Sequence, residues 1–152
     1  MIDSQAKFSL LKIYVRDLSF ETSYSPDMFL EKWDEWKPNI DLQLGNKVTL
    51  LKDNIHEVVL DMTVTSNMKE KMAFLVEVQI AGIFDIMASD QTQLDAVIGV
   101  TCLQVLFPYA REVVSDLVTR GGFPQLLLSP VNFASLYRQH LEEVKSSQLK
   151  EK

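Results

Sequence analysis

Between Leu103 and Val118 the apolar residues fall on one stripe at helical spacing: Leu103, Leu106, Phe107, Ala110, Val113, Val114, Leu117 and Val118. Arg111, Glu112, Ser115, Asp116 and Thr119 take the other side. The pattern predicts an amphipathic helix. Gly121 and Gly122 end it, because glycine enters the left-handed conformation of a helix cap without a Cβ clash. The segment from Phe123 to Pro130 is apolar yet holds Pro124 and Pro130, so it is neither an inner strand nor a helix interior. A loop of that composition is stable only when packed against something.

Elsewhere the period is two. Phe8 to Phe20 is rich in β-branched and aromatic residues, with Leu10, Tyr14, Leu18 and Phe20 on one parity and Leu11, Ile13 and Val15 on the other. Such a strand is apolar on both faces and asks to be covered twice, as by a partner subunit. From Asp17 the second face turns polar, with Ser19 and Glu21 in line. Residues 22 to 39 form a connection in which Met28, Phe29, Trp33 and Trp36 predict a short helical turn ended by Pro38. Ile40 to Leu44 alternates as a second strand, and Gly45-Asn46 reads as a turn. His56 to Thr65 sets Val58, Leu60, Met62 and Val64 on one face. After a polar loop from Ser66 to Lys71, Met72 to Gly82 returns with Phe74, Val76, Val78 and Ile80 on one side and Leu75, Glu77 and Gln79 on the other, an antiparallel hairpin. Gly82-Ile83-Phe84 leaves the sheet, and Thr92 to Val105 reads as a helix interrupted at Gly99 and Thr101. Asn132 caps a last helix from Phe133 to Val144, with Leu136, Tyr137, His140, Leu141 and Val144 on one face. Strands first and helices after predict an α+β fold, helices on one face of an antiparallel sheet. One domain spans 8–144, between a loose N-terminus at 1–7 and a flexible polar tail at 145–152.

Composition narrows the function. At 152 residues the chain has the size of one domain, and its 47% hydrophobic and 24% charged residues are those of a globular protein. A net charge of -6 argues against nucleic-acid binding, which needs a basic face. Cys102 is the single cysteine, so no internal disulfide forms and a reducing, cytoplasmic setting is expected. The N-terminus lacks the pattern of a signal peptide, and no window approaches about 20 consecutive apolar residues, so no membrane insertion is expected.

Catalytic signals are weak. His56 and His140 lie far apart in sequence, Cys102 precedes a helix stripe as a small buried thiol would, and no phosphate loop, metal-ligand spacing or nucleophile elbow is present. The acids Glu31, Asp34 and Glu35 read as a solvated turn, and Asp85 with Asp90 as an ordinary carboxylate pair. The expectation is a non-enzymatic binding protein with no catalytic residue, no metal and no cofactor. Its surplus of apolar surface calls for self-association or an apolar groove.

The strings IYVRDLSFE at Ile13–Glu21, HEVVLDMTVT at His56–Thr65, AFLVEVQIAGIF at Ala73–Phe84 and LFPYAREVVSDLVTRGGFPQLLLSPVNF at Leu106–Phe133 resemble the SecB family of protein-export chaperones. The resemblance covers roughly residues 8–140, in order and without large insertions. It implies a four-stranded antiparallel sheet with two main C-terminal helices on one face, assembled as a homotetramer, a dimer of dimers. It also implies a cytosolic function: binding unfolded preproteins, keeping them competent for translocation and delivering them to the SecA ATPase. By the same resemblance Asp17, Glu21, Leu75 and Glu77 dock SecA, while Val76, Val78 and Ile80 serve the oligomer interface. Trp36, Phe74, Phe84 and Tyr137 are the client-groove candidates. The chain departs from the family at Leu103, Leu127 and Ala134, where proline, asparagine and aspartate are frequent. The alternative is a SecB-like chaperone dedicated to another client, such as an antitoxin, without SecA delivery.

Overall fold

The computed structural model describes residues 6–32 and 35–150. Strands β1 (Lys7–Glu21), β2 (Asn39–Lys52), β3 (Ile55–Met68) and β4 (Lys71–Met87) form one antiparallel sheet in the order β1-β4-β3-β2. A one-turn helix, α1 (Asp27–Leu30), sits in the connection between β1 and β2. After the sheet come α2 (Gln91–Ala96), a π-helical segment (Val97–Cys102), α3 (Leu103–Arg120) and α4 (Phe133–Lys150). The α+β reading, with strands first and helices after, is what the structure shows.

The centre of the sheet is the core. Antiparallel partners share a face, and Leu60 opposes Ile80, Met62 opposes Val78 and Val64 opposes Val76. All six are at most 2% exposed. The α3 stripe predicted from spacing lies on them, with Leu106, Ala110, Val114 and Val118 fully buried. Each large apolar side chain enclosed there contributes about 1.5–3 kcal/mol relative to exposure. The continuous helical run Gln91–Arg120 has the length and hydropathy of a membrane span, but its apolar stripe is spent on this sheet.

The first strand differs from the expectation, and the cause is local. Register shifts between Leu10 and Lys12 and between Val15 and Asp17 insert a bulge residue at Leu11 and at Arg16. Each bulge flips the parity, so Phe8, Leu10, Ile13, Val15, Leu18 and Phe20 all pair with helix-side positions of β4. The strand is therefore apolar on one face. Tyr14, Asp17, Ser19 and Glu21 take the other.

Several boundaries also move. Gly45-Asn46 does not turn: β2 runs on to Lys52, and Gly45 pairs with Asp61 inside the ladder. The reversals occur at Asp53, with φ 50°, and at Lys69-Glu70, with φ 49° and 66°, so the loop expected at 66–71 shrinks to two residues. Beyond Gly82, β4 continues to Met87 rather than leaving the sheet. The helical turn expected from Met28 is α1, whereas Trp33 and Asp34 lie outside the described residues. The interruption predicted at Gly99 and Thr101 is the π-helical segment, through which the helix passes unbroken. Asn132 caps α4 as expected, its Oδ1 accepting from the Ser135 N–H at 3.0 Å. The helix then runs six residues past Val144, to Lys150, where a flexible tail was expected.

Close approach at Gly82 is a test of the core. A Cβ there would stand 2.6 Å from the Phe84 ring and 3.0 Å from Leu106 Cδ2, and both side chains are fully buried. Gly82→Ala is expected to destabilise the fold by about 1–3 kcal/mol, read as a lower urea midpoint at unchanged m-value. An unchanged midpoint would show that this packing yields freely.

Candidate functional site

The face of the sheet turned away from α3 carries the predicted docking residues. The ladders align them in consecutive rows: Glu21, Leu75, Thr65 and Asp41; then Ser19, Glu77, Thr63 and Gln43; then Asp17, Gln79, Asp61 and Gly45. The structure thus brings Asp17, Glu21, Leu75 and Glu77 together on adjacent strands. Asp17, Glu21 and Glu77 are exposed, and among the described residues none of them forms an ion pair within the chain. Asp41 and Asp61 extend the acidic area across β3 to β2. Sequence reading missed them because strand register is a tertiary property, although each lies on the polar parity of its own strand.

The other end of this face is mixed in charge. Tyr14 Oη donates to Glu57 Oε2, while Arg16 Nη1 donates to Glu57 Oε1 at 2.7 Å. With only a methyl at Ala81 opposite Tyr14, the phenol reaches from β1 towards β3. Lys12 and Lys47 lie in the rows beside this cluster. Acid therefore concentrates at one end of the sheet.

On the helix side, an aromatic cluster forms where α3 ends. Phe74 stacks on Phe20 with centroids 5.9 Å apart and meets Phe123 at 5.2 Å. Phe123 in turn meets Trp36 at 5.7 Å and Phe29 at 5.1 Å. The two glycines after α3 make the room. A Cβ on Gly121 would lie 2.3 Å from the Phe20 ring, and Gly122, at φ 91°, stands against Phe29. The apolar loop singled out from sequence is packed through Phe123 and Leu128, both buried.

A cleft of about 590 Å³ opens beside β2. Helix α3 lies mainly over the central strands β3 and β4, and the helix-side residues Leu44, Val48 and Leu50 of β2 form one wall. Leu94, Ile98 and Leu103 supply the floor, and Phe133, Leu136, Tyr137 and His140 of α4 the opposite wall. Tyr137 is seated on Gly99, where a Cβ would come within 2.7 Å of its ring. Burial, with the charge of Asp95 adding to it, raises the Tyr137 pKa above the ordinary tyrosine value.

Four candidate residues thus separate. Trp36, half-buried, belongs to the aromatic cluster, and Tyr137 lines the cleft. Phe74 and Phe84, offered from sequence as groove contacts, are sealed in the core, at 1% and 0% exposed. They lie on the apolar parity of a central strand, which a helix covers completely. Val76, Val78 and Ile80 are likewise enclosed under α3 within the single chain.

The residues weighed for catalysis also have places. Cys102 is fully buried, and burial pushes its thiol up to about 12, the neutral and unreactive form. His56 and His140 both line the cleft, and the His56 Nδ1 lies 3.2 Å from the Asn54 carbonyl oxygen. Among the described residues, no three His, Cys, Asp or Glu side chains are grouped to hold a metal ion.

The Glu57 cluster yields a pH test. The hydrogen bond to Glu57 raises the Tyr14 pKa above 10.0, with burial and the Glu57 charge adding to it. A phenol whose pKa is raised by folding stabilises the fold below its unfolded value, and that contribution disappears as pH climbs through the folded value. Glu57→Gln is expected to bring the Tyr14 titration back towards 10.0, measured by NMR; a titration that stays put would rule out Glu57 as the cause.

Comparison with known proteins agrees with this geometry. The family model described as preprotein translocase subunit SecB matches residues 2–144. The protein-export protein SecB of Nitrosococcus oceani is 52% identical over 143 residues, covering 94% of this chain and 87% of the relative. That of Pseudomonas fluorescens is 46% identical, covering 95% and 89%. Among solved structures, a SecB-like chaperone of Mycobacterium tuberculosis, bound to an antitoxin peptide, superposes with a TM-score of 0.65 at 19% identity, over 82% of this chain and 87% of that one. That likeness supports the fold: a four-stranded antiparallel sheet with C-terminal helices. With a family model over nearly its whole length and close relatives end to end, the chain belongs to the SecB family.

Proposed function

We propose that this protein is an export chaperone: it holds unfolded precursor proteins in the cytosol and delivers them to the SecA ATPase, with no catalytic step of its own. The observation that carries the reading is 52% identity, over 94% of the chain, to a protein-export protein SecB. The geometry supplies a surface for each half of the task. An apolar cleft suits extended clients, and an acidic sheet face suits a basic partner segment.

For client holding, the support is the cleft between β2 and α4 with Tyr137 on its wall, together with the aromatic cluster containing Trp36. An extended polypeptide points successive side chains to opposite sides, so those on one side recur every two residues, the repeat on which Leu44, Val48 and Leu50 lie along β2. Weak contacts repeated over several subunits add through avidity.

For SecA docking, the support is the row geometry of Asp17, Glu21, Leu75 and Glu77, with Leu75 as an apolar contact among carboxylates. Charge at an exposed surface speeds encounter and selects the partner. Leu75→Gln combined with Glu77→Lys is expected to weaken SecA binding about tenfold while unfolded preprotein is held as before. Calorimetry showing unchanged SecA affinity would remove the docking assignment, and retained client holding without any SecA binding in the parent protein would favour a dedicated chaperone instead.

Assembly into a homotetramer rests on the helix-side face of β1. Phe8, Leu10, Val15 and Leu18 are each at least 37% exposed in the single chain, because α3 lies mainly over β3 and β4 and covers little of β1. Val76, Val78 and Ile80 act on assembly through α3, whose seat they form. Leu18→Lys is expected to lower the assembled mass in light scattering while the released chain keeps its fold; four chains still held together would place the interface elsewhere.

A further inference from the structure

Docking by the acids uses one end of the outer sheet face and leaves the other end without a role. Along β2 the outward positions read Asp41, Gln43, Gly45, Lys47 and Thr49 and then, past the bulge at Leu51, Lys52. Acid gives way to neutral, and neutral to basic. The neighbouring strands repeat the order. The rows that begin at Glu21, Ser19 and Asp17 hold Glu77 and Asp61 and no basic side chain, whereas the rows beyond them bring Lys12 and Lys47. Lys12, Lys47 and Lys52 are exposed, and among the described residues none of them forms an ion pair. The acids at this end are Glu57, which Arg16 holds at 2.7 Å, and Asp85, which is half-buried.

The two ends act separately. Outward side chains on a strand recur every two residues, so the three row steps from Glu77 to Lys12 span about 20 Å. That exceeds the screening length of about 8 Å at physiological ionic strength. Each end therefore acts on the part of a partner lying over it instead of cancelling the other's field. On β2 the step between them is Gly45, which places no side chain in the way.

We infer that the outer face takes a polypeptide segment of split charge, with its basic part over Asp61 and Glu77 and its acidic part over Lys12, Lys47 and Lys52. The two parts lie about six extended residues apart, the length of chain that spans the rows between them. A uniformly basic segment long enough to cover the face would meet the lysines as like charges, and like charges across an interface reject a wrong partner. A split segment is attracted at both ends and is held in one direction along the strands. Lys47 and Lys52 are thereby specificity residues: they limit the length of the basic part and fix the direction in which the partner lies. This rests on the SecA-docking reading above and adds to it the charge pattern of the segment that docks.

The test uses two labelled synthetic peptides and fluorescence anisotropy at low ionic strength. One carries a lysine block, a neutral spacer of about six residues and a glutamate block; the other has glutamine in place of each glutamate. The parent protein is expected to bind the split peptide about 3- to 10-fold more tightly than the glutamine peptide. Lys47→Glu combined with Lys52→Glu is expected to abolish that preference while the glutamine peptide binds at least as well as before. Both lysines are exposed, so the variant keeps its fold, and the two-peptide comparison on the parent needs no variant at all. Equal binding of the two peptides by the parent would overturn the inference, as would a preference that persists in the double variant. Binding of neither peptide would instead overturn the docking reading, and this inference with it.

Discussion

Enclosure of the β3–β4 helix-side face by α3 is the constraint on which the other features depend. Val58 to Val64 and Phe74 to Ile80 make an apolar surface two strands wide, and one helix stripe is wide enough to seal it. The helix packs mainly on β4 and β3 and only lightly on β1. Much of the helix-side surface of the flanking strands is therefore left open, on β1 as a surface for self-association and on β2 as a wall of the cleft. The core is complete within one chain, while both of the apolar surfaces beside it are unfinished.

The opposite face follows from the same pleat. Because residues alternate strictly along β4, sealing Val76 and Val78 inside forces Leu75, Glu77 and Gln79 out. The bulges in β1 then decide what stands beside them. Without the shift at Arg16, Asp17, Ser19 and Glu21 would share a face with Tyr14's neighbours in the core rather than with Glu77. Two inserted residues thus turn a strand of mixed parity into one that is apolar inside and acidic outside.

The small residues are read best as room for rings. Gly82 admits Phe84 and Leu106, Gly99 admits Tyr137, and Gly121 admits Phe20. Sequence alone assigned Gly121 and Gly122 to ending a helix, which they do, but ending it there also lets the aromatic cluster close over Phe74. The π-helical segment has a comparable double role: it carries the chain from α2 into α3 and presents Gly99 as the seat of α4. The last helix is otherwise exposed beyond Phe133, so its placement over the cleft depends on that seat.

Periodicity by itself determined the α3 stripe, the alternation of β3 and β4, the cap at Asn132 and the order of strands before helices, since each is a property of neighbours along the chain. The family strings determined which fold those elements build. What only the tertiary structure decided is anything that depends on register or on depth. Phe74 and Phe84 look like groove residues as a sequence and are core, because burial follows from what the helix happens to cover. Gly45-Asn46 looks like a turn and lies inside a strand, because pairing with Asp61 overrides local preference. Asp41 and Asp61 join Glu77 only when strands distant in sequence are laid side by side. The Phe107–Phe133 stretch shows both levels at once: its pattern announces a helix and a packed loop, and only the folded chain reveals that the loop's Phe123 lies against the Phe74 ring of the central sheet.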